Sequence, residues 1–406
     1  AERYRARARA RGAPPRAWPP PGRAARVVGV MSTVTEDQVR EALTRVEDPE
    51  LGRPITELGM VKSVAVDGSS VAVEIYLTIA GCPMRDTLQQ NTYAAVAELD
   101  GVDEVTVTTD VMDDAQRKAL RDQLRGGAEP VIPFAQPGTT IRVFAIASGK
   151  GGVGKSSVTV NLAAALAAKG LRVGIVDADI YGHSVPTLMG SDQQPSVMEE
   201  DMILPPIAHG VKIISIGHFI EGNAPVVWRG PMLHRALQQF LTDVFWGDLD
   251  VLLLDLPPGT GDVAISVAQL IPNAELVVVT TPQHAAAEVA ERAGTIAQQT
   301  RQRVAGVVEN MSAMVMPDGS TMEIFGSGGG ARVSERLTAL TGGEVPLLGQ
   351  IPLDPALRTH GDEGTPVVLA EPESPSAKAF AAIADKLAVR RDSLAGKPLG
   401  LGVTPN

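Results

Sequence analysis

The chain has 406 residues, enough for two or three domains of about 150 residues each. Apolar residues make up 44% and charged residues 20%, which excludes a disordered or fibrous chain, and no run approaches the roughly 18–20 apolar residues a membrane helix needs. A single cysteine excludes a disulfide framework and an all-protein four-cysteine metal site, so the cytoplasm is the expected compartment, and the net charge of −11 argues against a dedicated nucleic-acid binder.

The charge is unevenly spread. Residues 1–30 carry eight arginines and one glutamate, a net +7 that leaves the rest of the chain at −18. This arm contains no serine, and Pro14, Pro15, Pro19, Pro20 and Pro21 spoil an amphipathic helix. It reads as a disordered arm, or as codons translated ahead of a start at Met31, in preference to a transit peptide.

Residues 31–112 predict a small α+β domain. Thr35 and Gln38 have the capping-box spacing for a helix over 36–45. Strands over 60–66 and 71–78 flank the turn pair Asp67-Gly68, followed by a helix over 84–98 and a strand over 102–107. Cys82, the only cysteine, falls where strand gives way to helix. A free cysteine is most often a small buried hydrophobe; at a helix N-terminus it is a thiol of lowered pKa, and the position leaves both readings open.

Residues 113–140 read as a linker. A short charged helix over 115–125 ends at Gly126-Gly127, and a stretch with Pro130, Pro133 and Pro137 follows. Semi-extended, that stretch is expected to act as a tether on which the first domain swings.

From residue 141 the pattern alternates strand and helix. It predicts a mostly parallel, doubly wound α/β domain over 141–390 and a flexible tail over 391–406. The apolar strand over 143–147 leads into Gly149-Lys150-Gly151-Gly152-Val153-Gly154-Lys155-Ser156, which fits G-x-x-x-x-G-K-[ST] between a strand and a helix. Glycines let backbone N–H groups approach phosphates, and the helix N-terminus adds positive potential. Lys155 is expected to reach the β- and γ-phosphates of ATP and Ser156 to offer its hydroxyl to magnesium.

Two further strands end in acid. Residues 171–176 lead to Asp177-Ala178-Asp179 and residues 251–254 to Asp255, at strand C-termini, where α/β folds hold ligands. Asp255 is the expected magnesium-positioning carboxylate, directly or through water. Gly259 and Gly261 supply a mobile switch for sensing the γ-phosphate. Strands over 275–281 and 304–308 follow, the second ending at Asn310, and a helix over 377–389 closes the domain. That last helix has no strongly basic face, so membrane docking is not expected.

Lys150, directly after the first glycine, resembles the signature lysine of the MinD/ParA/nitrogenase iron protein class with its deviant phosphate loop. The resemblance implies a nucleotide-sandwich homodimer in which Lys150 crosses to the partner's phosphates. It assigns the attacking water to Asp179, leaves Asp177 near magnesium and brings Asn310 to the adenine. Longer stretches narrow the family: Asp177-Ala178-Asp179-Ile180-Tyr181-Gly182, Trp228-Arg229-Gly230-Pro231-Met232, Thr280-Thr281-Pro282-Gln283 and Glu309-Asn310-Met311-Ser312. Together they resemble the Mrp/ApbC iron–sulfur carrier ATPases over about residues 141–385. Asp48-Pro49-Glu50, Leu58-Gly59-Met60-Val61 and Gly81-Cys82-Pro83 resemble the small iron–sulfur assembly domain that precedes many of them, in which the matching cysteine is the reactive position.

One departure matters. The family usually carries C-P-x-C after its E-N-M-S segment, and here that position reads Met316-Pro317-Asp318-Gly319. A thioether is a weak cluster ligand and glycine is none. A dimer would own two thiols, both Cys82, and any iron–sulfur cluster would need outside ligands. The expected function is therefore a magnesium-dependent ATPase and iron–sulfur carrier with client proteins as partners and weakened cluster binding. The alternatives are a ParA/MinD-like positioning ATPase, which needs a basic face or membrane anchor, and an ATP-driven scaffold that binds no cluster.

Overall fold

The computed structural model describes residues 34–388 except 80, 81, 83, 126–130, 137, 180, 181, 199–201, 220–229, 260, 284, 285 and 317. The arm over 1–30, the tail over 391–406, Gly126-Gly127 and Trp228-Arg229 lie outside the described residues.

Thr35 caps α1 (Glu36–Leu43): its hydroxyl accepts the Gln38 N–H, and the Gln38 side chain accepts the Thr35 N–H. The hairpin of β1 (Val61–Asp67) and β2 (Ser70–Leu77) turns at Gly68, whose φ of 62° suits glycine. α2 (Arg85–Ala97) crosses over to β3 (Glu104–Val111), which lies parallel to β2. β3 runs past residue 107 because its alternation of exposed and half-buried residues continues through Thr109. α3 (Asp114–Arg125) follows.

The larger unit begins at β4 (Arg142–Ser148), which is buried from Val143 onward and feeds α4 (Lys155–Ala168). Next come β5 (Val173–Asp177), a small hairpin of β6 (Ser196–Met198) and β7 (Met202–Leu204), then β8 (Ile207–Ala208) and β9 (Val211–Ser215). α5 (Gly230–Thr242), β10 (Val251–Asp255), α6 (Asp262–Leu270), β11 (Glu275–Thr280), α7 (Ala286–Thr300) and β12 (Val304–Ser312) alternate after it. A second small hairpin, β13 (Met314–Val315) and β14 (Thr321–Met322), precedes α8 (Gly329–Thr341), β15 (Leu347–Pro352) and α9 (Pro375–Ala388).

One eight-stranded sheet runs in the order β8-β9-β5-β10-β4-β11-β12-β15, parallel except for β8. Helices cover both faces. Leu241, Val267, Val289 and Leu337 pack on one, and Val158, Leu162, Phe380 and Ile383 on the other. Strands such as Val251–Asp255 are apolar nearly end to end because both of their faces are covered. This winding brings the C-terminal ends of β4, β5 and β10 side by side, with Asp255 in register with both Ile146 and Asp177.

Residues 131–136 are not a free tether. A 3-10 turn over Pro133–Ala135 buries Phe134 completely against Trp246, ring centroids 6.1 Å apart, and Asn273 Nδ2 donates to the Phe134 carbonyl at 3.0 Å. The small domain is docked too, since Met198, Met202 and Leu204 of the β6–β7 hairpin join its core with Leu51, Ile75 and Leu88. Proline spacing reports local stiffness, whereas the anchoring comes from one aromatic side chain finding a distant cavity. Phe134→Ala is expected to cost about 3–5 kcal/mol, read as a lower urea midpoint at unchanged slope.

Candidate functional site

The loop after β4 takes turns that suit only glycine. Gly152 and Gly154 have φ of 76° and 77°, and a Cβ on Gly149 would sit 2.6 Å from Val289 Cα. The loop is braced from outside. Arg292 of α7 donates to the Gly149 carbonyl at 2.7 Å, and the Ser148 hydroxyl donates to the Lys150 carbonyl at 3.0 Å. The Gly259 N–H donates to the Ser148 carbonyl at 2.9 Å, tying the segment after β10 to the loop. α4 starts at Lys155, so the unpaired N–H groups of its first turn face the same space.

Beneath the loop lies a charged knot. Lys155 Nζ is 2.9 Å from Asp255 Oδ1 and 3.6 Å from Asp179 Oδ2. The Ser156 hydroxyl donates to Asp255 Oδ2 at 2.6 Å, and the Thr159 hydroxyl to Oδ1 at 2.7 Å. Asp255 is fully buried, a position it holds through these three donors. Ser156 and Asp255 offer the hard oxygen donors that magnesium prefers.

Asp177 sits one strand over and is differently committed. Its Oδ2 accepts the Ser215 hydroxyl at 3.0 Å and the Val185 N–H at 3.3 Å, and its Oδ1 accepts the Asp179 N–H at 3.2 Å. Burial, then the neighbouring Asp255, pushes the Asp177 pKa well up. Burial also raises Asp179, against the pull of Lys155. The geometry thus places Asp177 as the brace of the Asp179 segment.

Asn310 lies on the other side of the loop. Its Nδ2 donates to the Val153 carbonyl at 2.9 Å, while its buried Oδ1 has no partner among the described residues. Such an orphaned acceptor suits an amino donor of the kind adenine carries. Glu309 next to it accepts from Gln350 Nε2 at 2.6 Å and from the Gly330 N–H at 2.5 Å, fixing this part of β12 to α8. Lys150 is aimed elsewhere: its Nζ donates to Gln283 Oε1 at 2.5 Å, just past β11.

Gln283 belongs to a stretch the sequence singled out, without the contact to Lys150, whereas Thr159, Ser215 and Arg292 did not stand out there. Of these three, only Thr159 carried a signal, one helical turn after Lys155 on the same face of α4. The strand bearing Ser215 is short and follows Pro205-Pro206, which leaves little periodicity to read.

Cys82 is buried, and its thiol is not the acidic one that a helix N-terminus alone would give. The Met84 N–H does favour the thiolate, but burial and then the nearby Glu50 outweigh it and push the thiol up to about 12. Its Sγ lies 3.7 Å from Glu50 Oε2, and burial with the neighbouring Asp48 raises Glu50 to about 7. Met316, Asp318 and Gly319 lie between β13 and β14. The Gly319 N–H donates to the Met316 carbonyl at 2.9 Å, and Asp318 Oδ1 accepts from Ser320 N at 2.9 Å and Oγ at 2.6 Å. Pro317 lies outside the described residues. Among the described residues no group of three or more His, Cys, Asp or Glu is placed to hold a metal ion, and no helix is long and apolar enough to cross a membrane.

A glycine-rich loop between buried strand and helix, with carboxylates at the adjacent strand ends of a mostly parallel sheet, defines a P-loop NTPase. A family model described as ParA, NUBPL iron-transfer P-loop NTPase, matches residues 139–388, and one described as iron-sulfur cluster assembly protein matches residues 36–109. The chain belongs to the iron-transfer P-loop NTPase family, with an iron–sulfur assembly domain ahead of the NTPase. It is 66% identical over 369 residues to the iron-sulfur cluster carrier protein of Mycobacterium tuberculosis, covering 90% of this chain and 96% of that one. The protein of the same description from Synechocystis is 42% identical over 361 residues, covering 87% and 97%. Among solved structures, the nucleotide-binding protein in complex with ADP from Archaeoglobus fulgidus superposes with a TM-score of 0.50 at 36% identity, covering 59% of this chain and 93% of that one.

Proposed function

We propose that the chain is a magnesium-dependent ATPase that works as a homodimer in the cytoplasm and carries or assembles iron–sulfur clusters for apoproteins. The observation that carries this reading is the division between two lysines of one loop. Lys155 is buried on the carboxylates of its own site, whereas the partly exposed Lys150 reaches out to Gln283.

With ATP bound, the N–H groups of residues 149–156 hold its phosphates, and Lys155 turns from Asp255 to the β- and γ-oxygens. Ser156 and Asp255, with Asp177 near them, would hold magnesium, which would neutralise phosphate charge. Asp179, released from Lys155, orients the attacking water, and Asp177 keeps the Asp179 backbone in place. Water attacks the γ-phosphorus, the bond to the ADP oxygen breaks, and Lys150 from the partner subunit stabilises the charge that develops. Asn310 reads the adenine through its orphaned oxygen.

The cluster is cargo in this reading, and the sequence Met316-Pro317-Asp318-Gly319 does not fit it. Met316 and Gly319 supply no thiolate, so the ligands are Cys82 together with a low-molecular-weight thiol or the client's cysteines. Anaerobic reconstitution followed by iron and sulfide analysis tests this. The full chain is expected to bind sub-stoichiometric iron that rises with added thiol, and Cys82→Ser to lose it while ATP hydrolysis changes by less than about twofold. A full cluster on Cys82→Ser would overturn the ligand assignment, and a chain that binds but never hydrolyses ATP would overturn the ATPase. The missing cysteines at Met316 and Gly319 also favour a second reading, an ATP-driven scaffold that grips clients without a cluster. No iron under any of these conditions selects it.

A further inference from the structure

Cys82 is the only thiol of the chain, yet it is 8% exposed. Its cover is Glu50, on a loop folded tightly by Asp48, whose Oδ1 accepts the N–H groups of Glu50 and Leu51, both at 2.9 Å. The other side of that loop meets the NTPase unit. Pro49, Leu51 and Arg53 line a cleft of about 650 Å³ together with Met202, Lys212 and Trp246. Lys212, on β9, donates to the carbonyls of Phe245 at 3.4 Å and Trp246 at 3.1 Å. It is the basic group that Asp48 and Glu50 face across the junction, and burial lowers it to about 8 while their charges pull it back up. Met198, Met202 and Leu204 bury themselves in the same cluster as Leu51 and Cys82.

We propose that this junction is an autoinhibitory latch: the β6–β7 hairpin and Lys212 hold the 47–53 loop down, and the loop keeps Cys82 out of reach. A carrier whose only thiol is covered in the docked arrangement has to undock its small domain before that thiol meets metal or client. The carrier reading supplies the reason for exposing Cys82; the masking itself depends on neither nucleotide nor cluster.

The test uses the full chain, in which N-ethylmaleimide uptake followed by mass spectrometry reads Cys82 alone. The native protein is expected to react at least about 100-fold more slowly than in denaturant. Met202→Asp, which puts a charge into the docked face, and Lys212→Met, which removes the cation facing Asp48 and Glu50, are each expected to raise the native rate at least about tenfold. Trp246, on the cleft wall, should shift its emission to the red in both, and Lys212→Arg should stay near the native rate. Hydrogen exchange in β2 reports whether the small domain remains folded. Native Cys82 reacting as fast as in denaturant, or either variant reacting at the native rate, overturns the latch. So does a rise that comes only with loss of β2 protection. ATP hydrolysis at the native rate in Lys150-intact Lys212→Met, with faster labelling, separates this proposal from the fate of the ATPase reading.

Discussion

Lys155→Ala is expected to abolish measurable nucleotide binding, raising the dissociation constant for ATP at least about a hundredfold. Two losses combine. The ammonium that would meet the β- and γ-phosphates is gone, and Asp255, fully buried, is left without its 2.9 Å cation. The uncompensated carboxylate then repels the incoming phosphates at the place where they must sit. Because Ser156 and Thr159 still donate to Asp255, the fold is expected to survive. Calorimetric titration with ATP checks the prediction, and native affinity in this variant would sink the phosphate-loop assignment.

The second large effect separates the two lysines. Lys150→Ala is expected to bind ATP normally and to hydrolyse it about 10³-fold more slowly, the scale of a charge supplied in trans. The reason is geometric: Lys150 meets Gln283 rather than the carboxylates around Lys155, so its removal leaves the nucleotide cradle intact. Asp179→Ala is expected to be equally slow. Mixing the two variants is decisive. In a mixed dimer one site has an intact Asp179 and receives Lys150 from its partner, so random exchange restores about a quarter of native activity. If Lys150 serves its own phosphates, no site in any dimer is whole and nothing is restored. Subunit exchange is verified independently by mass-tagged chains.

Local features follow from the residues alone. Gly149 to Ser156 spell the loop because a phosphate cradle is one contiguous turn whose φ angles, 76° and 77° at Gly152 and Gly154, restrict the residues allowed. Buried parallel strands such as β10 announce themselves as apolar runs, and Asp255 follows as the first polar residue at such a strand's end. Thr35 and Gln38 close their capping box within one turn.

Whatever depends on partners far apart in the chain follows only from the packed fold. Thr159, Ser215 and Arg292 reach the site from separate helices and strands and Gln283 from the loop after β11, and their roles exist only once the sheet order sets β9, β5, β10, β4 and β11 side by side. Phe134 turned an expected tether into an anchored segment because its ring found Trp246, more than a hundred residues away. Cys82 shows the same limit in chemical form. A helix N-terminus lowers a thiol's pKa, and that much is readable from the residues flanking it. Burial beneath Glu50 raises it further than the helix lowers it, and burial is a property of the packed molecule, set by the docking of β6–β7 and Lys212 on a loop that precedes them by some 150 residues.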